Sequence, residues 1–313
     1  MASAREDFLS ALRAINQASE LPVLLDPSPP DASRADIARV LRNGLAVASF
    51  ATLEDFVRRR AEEILAVAST GPVAFVDLPE RLQRAVTIDA LGVVSSRVKR
   101  TLDDQMTLVH EATAAIAATA RGSLTFPPFS LAWEGSNATT SDMSSALSAL
   151  GISDPWNSMT AIARRGGFTI GVTGVEGAFR TLARGRHAAA HDARTDTPLL
   201  SLRSFHLSAL SIACAFDLLA SRAARLLRDA DAVYLGGGSI RPADVKLRFL
   251  RPRAGGRWAE FVEARPGRAF RIHANEAIAR VAATTRATAG REGLVAVDPT
   301  AGPTWWISGD VPS

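Results

Sequence analysis

"SRADIARVLRNGLAVASFATLEDFVRRRAEEILAVAS", residues 33–69, contains no proline and spaces Ile37, Val40, Leu41, Leu45, Ala48, Leu53, Phe56, Ile64 and Leu65 by three, four and their sums. Apolar residues recurring on that period line one face of a helix, so the spacing predicts a single long helix. The break "DPSPPDAS" precedes it, leaving Asp31 or Ser33 as its cap. Everything else in the chain is arranged around this element. On its N-terminal side, residues 1–30 hold a short amphipathic helix (Phe8, Leu9, Leu12, Ile15) and a linker.

On its C-terminal side, "TGPVAFVDLP" closes the helix, and residues 79–120 read as one or two more. Residues 122–167 are punctuated by prolines, serines and tryptophans, as in an insertion, with short helices at 141–150 and 155–164. Residues 170–190 are helical again, and 199–228 form a long helix with an apolar face (Leu202, Phe205, Leu210, Ile212, Phe216, Leu219, Leu226). "LGGGSIRP" (235–242) lacks the lysine and hydroxyl residue of a phosphate-binding loop and reads as a linker.

From residue 244 the period becomes two. Val245, Leu247 and Phe249 alternate with Lys246 and Arg248, and "RWAEFVEA" alternates in the same way. A helix at 274–289 and the strands "GLVAVD" and "TWWIS" complete this part. The chain is thus expected to be mainly α: a helical domain at 31–230 carrying the insertion, followed by a small α+β domain at 240–313.

At 313 residues and 47% hydrophobic, the chain has enough apolar surface to fold without staples. Its one cysteine, Cys214, sits in an apolar run and is expected to be a buried hydrophobe. With no intrachain disulfide possible, no recognisable leader and no run of about 18 uncharged apolar residues, the expected setting is the cytoplasm, away from membranes. Lys99 and Lys246 are the only lysines, so the positive charge is almost entirely arginine. Residues 241–271 carry nine basic residues against three acidic ones, a local net of +6 where the whole chain has +4. That density suits either a surface for an anionic partner or the solvated face of a small domain. The strand at 245–249 would turn Lys246 and Arg248 to one face, and these two with Arg251 are the expected RNA contacts.

The chemically suggestive stretch is "RGRHAAAHDARTD", residues 184–196. His187 and His191 are four apart and share a helix face, a spacing that can hold zinc. A zincin helix needs glutamate directly after the first histidine, and Ala188 stands there, so no metal is expected. What remains is Arg186, a polar neighbour His187, and His191. The same arginine-to-histidine spacing recurs in "RAFRIH" (268–273), but only the Arg186 copy has a polar residue after the arginine. Arginine grips phosphate through two parallel hydrogen bonds, and an imidazole exchanges protons near neutral pH. Two residues five apart on a straight helix diverge by about 140°. Arg186 and His191 therefore meet only if the helix breaks between them or a second chain completes the site.

Arg186, His187 and His191 resemble the arginine–polar–histidine motif of the HEPN superfamily of ribonucleases. "LRNGLAVASFATLEDFVRRRAEEIL" (41–65) is similar to the first long helix of the branch called RiboL-PSP-HEPN, and "LGISDPWNSMTAIARRGG" (150–167) to the insertion before its motif helix. The resemblance covers about residues 33–228. It implies an up-and-down helical bundle that pairs as a homodimer with a composite active site, and RNA cleavage without cofactor or metal, by 2′-OH attack leaving a 2′,3′-cyclic phosphate. His191 would be the acid or base, Arg186 would stabilise charge on the phosphorane, and His187 would orient the pair or touch RNA. A toxin or anti-phage effector, with an antitoxin or inhibitor protein as partner, is the expected setting. No tyrosine closely follows His191, which disfavours the variant that pairs with a nucleotidyltransferase antitoxin. The rival expectation is a non-catalytic helical dimer acting as scaffold or sensor.

Overall fold

The computed structural model describes residues 3–25, 32–100, 104–122, 124–127, 129–192, 194–265, 267–298 and 302–311. Helix α1 (Ala4–Ser19) opens with a capping box, in which the Ser3 hydroxyl accepts from the Glu6 N–H and the Glu6 carboxylate accepts from the Ser3 N–H. The long helix expected at 33–69 is α2 (Ala32–Ala68). Asp31 and most of the break before it lie outside the described residues, and Ser33 lies within the first turn rather than at the cap. Residues 79–120 yield α3 (Glu80–Arg84), a π turn (Ala85–Asp89), α4 (Ala90–Arg100) and α5 (Gln105–Thr119). The insertion holds α6 (Thr140–Ala149) and α7 (Pro155–Arg165), and the motif lies on α8 (Gly174–His191).

Helix α9 (Leu199–Arg228) is the axis of the molecule. By length and composition it is apolar enough to cross a membrane. Here it is the core helix, buried on nearly every side from Ala209 to Ala224. Against it α2 lays a stripe at Ala46, Phe50, Leu53, Val57, Ala61, Ile64 and Ala68, spaced three and four apart. Helix α1 adds Phe8, whose ring lies 4.8 Å from that of Phe56, and α8 adds Phe179, 5.5 Å from Phe50. The insertion is no surface ornament: Met143, Leu147, Met159 and Ile162 belong to the same core. Cys214 is fully buried, and burial together with the nearby Asp217 charge pushes its thiol pKa well up.

A short helix α10 (Ala232–Leu235) leads into the glycine run, which is pinned by a parallel bridge between Ile152 and Ile240 and by the Tyr234 hydroxyl donating to the Leu150 carbonyl at 3.0 Å. A five-stranded mixed sheet then forms from β1 (Lys246–Pro252), β2 (Trp258–Val262), β3 (Arg271–His273), β4 (Glu292–Asp298) and β5 (Gly302–Ser308), in the order β3-β2-β1-β4-β5. The pair β1–β4 is parallel and the others are antiparallel. Helix α11 (Glu276–Gly290) supplies the crossover between the parallel strands and covers one face through Ala279, Ala283 and Ala287. The other face presents Leu247, Phe249, Val295 and Trp306 to the helical core. Because both faces are covered, the clean alternation of β1 gives way to an almost continuously buried strand.

One polar node ties these layers together. Asp217 on α9, with no exposed surface, accepts from Arg5 Nε (2.9 Å), Arg60 Nε (2.7 Å), Ser221 Oγ (2.8 Å) and Trp306 Nε1 (2.8 Å). The Val311 carbonyl accepts a further bond from Arg60 at 2.9 Å. Burial alone would raise the Asp217 carboxyl, but the two guanidinium groups outweigh it and hold the acid well below the usual range.

Candidate functional site at the end of helix α8

Helix α8 runs unbroken through the motif and stops at His191, where the Asp192 N–H bonds the Ala188 carbonyl. Its end is held on both sides. Before the motif, Gly185 lets α8 approach α9 closely: a Cβ there would stand 2.6 Å from Cζ of Phe205. After it, the loop to α9 is fastened to α2. The Arg42 guanidinium donates to Asp196 Oδ1 (2.6 and 3.1 Å), Asn43 Nδ2 donates to the Thr195 carbonyl (2.7 Å), and Asn43 Oδ1 accepts from the Thr197 hydroxyl (2.8 Å). Pro198 then caps the start of α9. Arg42 and Asn43 were not singled out by sequence reasoning. Their only trace was a polar Arg-Asn pair interrupting the apolar stripe of α2.

The three motif residues take two directions. His187 and His191 are both exposed and lie side by side, with ring centroids 4.7 Å apart and planes tilted by 48°. Arg186 is half-buried towards α2, where its charge helps to lower the pKa of Glu54. Burial dominates at that carboxyl and pushes it up, against the bond from the Ala138 N–H and the Arg186 charge. Since α8 does not break between residues 186 and 191, one chain brings the two histidines together but turns Arg186 and His191 to different sides. Among the described residues, no group of three or more His, Cys, Asp and Glu side chains is arranged to hold a metal ion.

The residues expected to contact RNA in the C-terminal part separate even more sharply. Lys246 is exposed at the start of β1. Arg248, also expected to contact RNA, is only 7% exposed and turns its charge inward. Its guanidinium is bonded to Glu260 and, at 2.6 Å, to Glu292. Glu260, with no exposed surface, also accepts from Arg286 Nε (2.9 Å) and contacts His273 Nε2 (3.1 Å). Burial would raise the Glu260 carboxyl, but the bonds from Arg286, His273 and Arg248 hold it down. The histidine of "RAFRIH" is thus a buried partner of this acid. Arg251 remains exposed, resting on the rings of Phe249 and Phe261.

A scan against protein-family models and searches of curated proteins and of solved structures found no match to this chain.

Proposed function

We propose that the chain is a metal-independent RNA endonuclease of HEPN type, built on an up-and-down helical bundle and working as a homodimer. The observation that carries this reading is the exposed pair His187 and His191 at the end of α8, with Arg186 beside it on an adjacent face. Because the unbroken helix separates Arg186 from His191, a complete site needs the motif of a second chain facing the first. In that composite site a His191 imidazole takes the proton of a ribose 2′-OH, and the 2′-oxygen attacks the adjacent phosphorus. The bond to the 5′-oxygen breaks, an imidazolium returns a proton to that oxygen, and a 2′,3′-cyclic phosphate remains. Arg186 stabilises the charge that builds on the phosphorane oxygens, and His187 orients its neighbour or contacts the RNA. A toxin or phage-defence effector restrained by an inhibitor protein in the cytoplasm is the setting that suits such an activity.

The test is cleavage of total RNA in EDTA, with end-group analysis for the cyclic phosphate. His191→Ala should slow cleavage by about 10²–10⁴-fold, the usual contribution of general acid–base catalysis, and Arg186→Ala should also be inactive. Mixing the two inactive variants should restore part of the activity, because one face of a mixed dimer keeps an intact set. A double variant that cleaves as fast as the unmodified chain overturns the assignment.

The second reading, a non-catalytic helical dimer, is favoured by Ile37, Val40 and Leu41 of α2, which are exposed beside the Arg42 anchor of the motif loop. Under that reading, dimers form while no RNA is cut by either chain.

A further inference from the structure

Where the sheet meets the helical body, a cleft of about 630 Å³ opens between the α7–α8 turn, α9 and the ends of β1, β4 and β5. That volume is in the range of small-molecule sites. The turn is shaped by Gly167, whose φ of +87° is open to glycine and strained for other residues, and which brings the chain round after α7.

Two arginines project into this cleft. Period-two alternation carries Arg251 to the face of β1 that Leu247 and Phe249 use, towards the helical body, and Arg253, just past the end of the strand, lines the same cleft. Both lie over the ring of the buried Phe261, at 5.2 and 5.5 Å from its centroid. Neither has a carboxylate partner among the described residues, in a chain where Arg5, Arg60, Arg165, Arg248 and Arg286 are all bonded to acids. An aromatic ring holds a guanidinium plane in place without consuming its N–H donors. Two such forks on one wall form a seat for a doubly charged, tetrahedral anion. The remaining walls combine the apolar side chains of Phe168, Val297 and Pro303, and of Leu207, which is 42% exposed, with Thr169 and the Asp298 carboxylate at the rim.

We infer that this cleft binds a nucleoside monophosphate, with its phosphate between Arg251 and Arg253 and its base against Phe168, Leu207 and Val297. The two arginines match the phosphate, and the apolar side chains of Phe168, Leu207 and Val297 match a base that sheds water. The site lies on elements other than the end of α8, so it stands whether or not the chain cleaves RNA. A free nucleotide and the 5′-phosphorylated end of an RNA share this chemistry.

Calorimetric titration of the full chain with the four nucleoside 5′-monophosphates, the matching nucleosides and inorganic phosphate tests the assignment. At least one monophosphate should bind at least tenfold more tightly than its nucleoside and than inorganic phosphate. Arg251→Ala and Arg253→Ala should each weaken it about tenfold or more, through loss of a charge-assisted bond. Arg251→Lys, which keeps the charge but not the fork, should fall between. Leu207→Glu on α9 should abolish binding without touching the sheet, which guards against a misfolded arginine variant. His191→Ala should bind normally, so failure of the ribonuclease reading and failure of this site can be told apart. A 5′-phosphorylated trinucleotide that binds more tightly than the mononucleotide assigns the site to an RNA end, and one that binds more weakly assigns it to a free nucleotide. No binding by any monophosphate, equal binding of nucleoside and nucleotide, or unchanged binding in both alanine variants overturns the proposal.

Discussion

The Asp217 node and the end of α8 are made from the same materials, arginines beside ionisable side chains on helices, yet they are built to opposite ends. At Asp217 the donors and the acid are matched inside the core: Arg5, Arg60, Ser221 and Trp306 all point at one carboxylate with no exposed surface. At α8 the backbone is held as firmly, but His187 and His191 face solvent. A protein this rich in arginine therefore sorts its cations by whether a carboxylate has consumed them. The Glu260 cluster belongs with Asp217, and the cleft arginines belong with α8.

The largest effect expected from breaking the first member of this comparison follows Asp217→Ala. The buried Arg5 guanidinium would lose its Asp217 partner and Arg60 would keep only Glu63, and breaking a buried ion pair typically costs about 3–5 kcal/mol. Urea denaturation should register it, and a loss below about 1 kcal/mol would put the node in the same class as a surface pair. Acid sharpens the contrast. The folded-state pKa values of Asp217 and Glu260 lie below their unfolded values, so their stabilisation is fully present above about pH 4 and drains away as pH falls through the folded values. The urea midpoint should drop steadily as pH falls below about 4, and Asp217→Asn should flatten that slope. A midpoint that rises on acidification would reverse the sign.

Arg248→Ala comes next. Removing one of three donors to Glu260 should cost about 1–3 kcal/mol while leaving affinity for an RNA oligonucleotide unchanged. A variant with unaltered stability and weakened RNA binding would move Arg248 to the other side of the comparison. The smallest effect is expected at Arg184, which is exposed and whose Nε bonds only the Arg180 carbonyl of its own helix. Arg184→Ala should leave both the urea midpoint and any RNA cleavage as they are.

The long helices were legible because each is a long proline-free run, and α2 in addition keeps one exposed face: α2 and α9 were expected at 33–69 and 199–228 and lie at Ala32–Ala68 and Leu199–Arg228. The order of the sheet was not legible, since a parallel β1–β4 pair joined through two other strands and α11 leaves no local mark. Nor was the fate of Arg248. Alternation places it on the same face as Lys246, but only the packing of α11 decides that this face is covered. The Asp217 node was hidden for the same reason, as its members come from four elements far apart in the chain. The motif residues were found by spacing alone. The continuity of α8 through them, which decides what one chain can do by itself, depends on the Gly185–Phe205 contact and the Arg42–Asn43 clamp, both of them long-range.

The span of the Asp217 node also sets a schedule for synthesis. Arg5 and Arg60 leave the ribosome long before Asp217, and Trp306 and the Val311 carbonyl come last. Until then the partly made chain holds an apolar helix, α9, with a charged residue whose partners are incomplete, and loops of this length close late. The helical body thus reaches its native state only once β5 has been translated and docked, so products stalled before it are expected to go to proteases rather than to accumulate as folded helical domains.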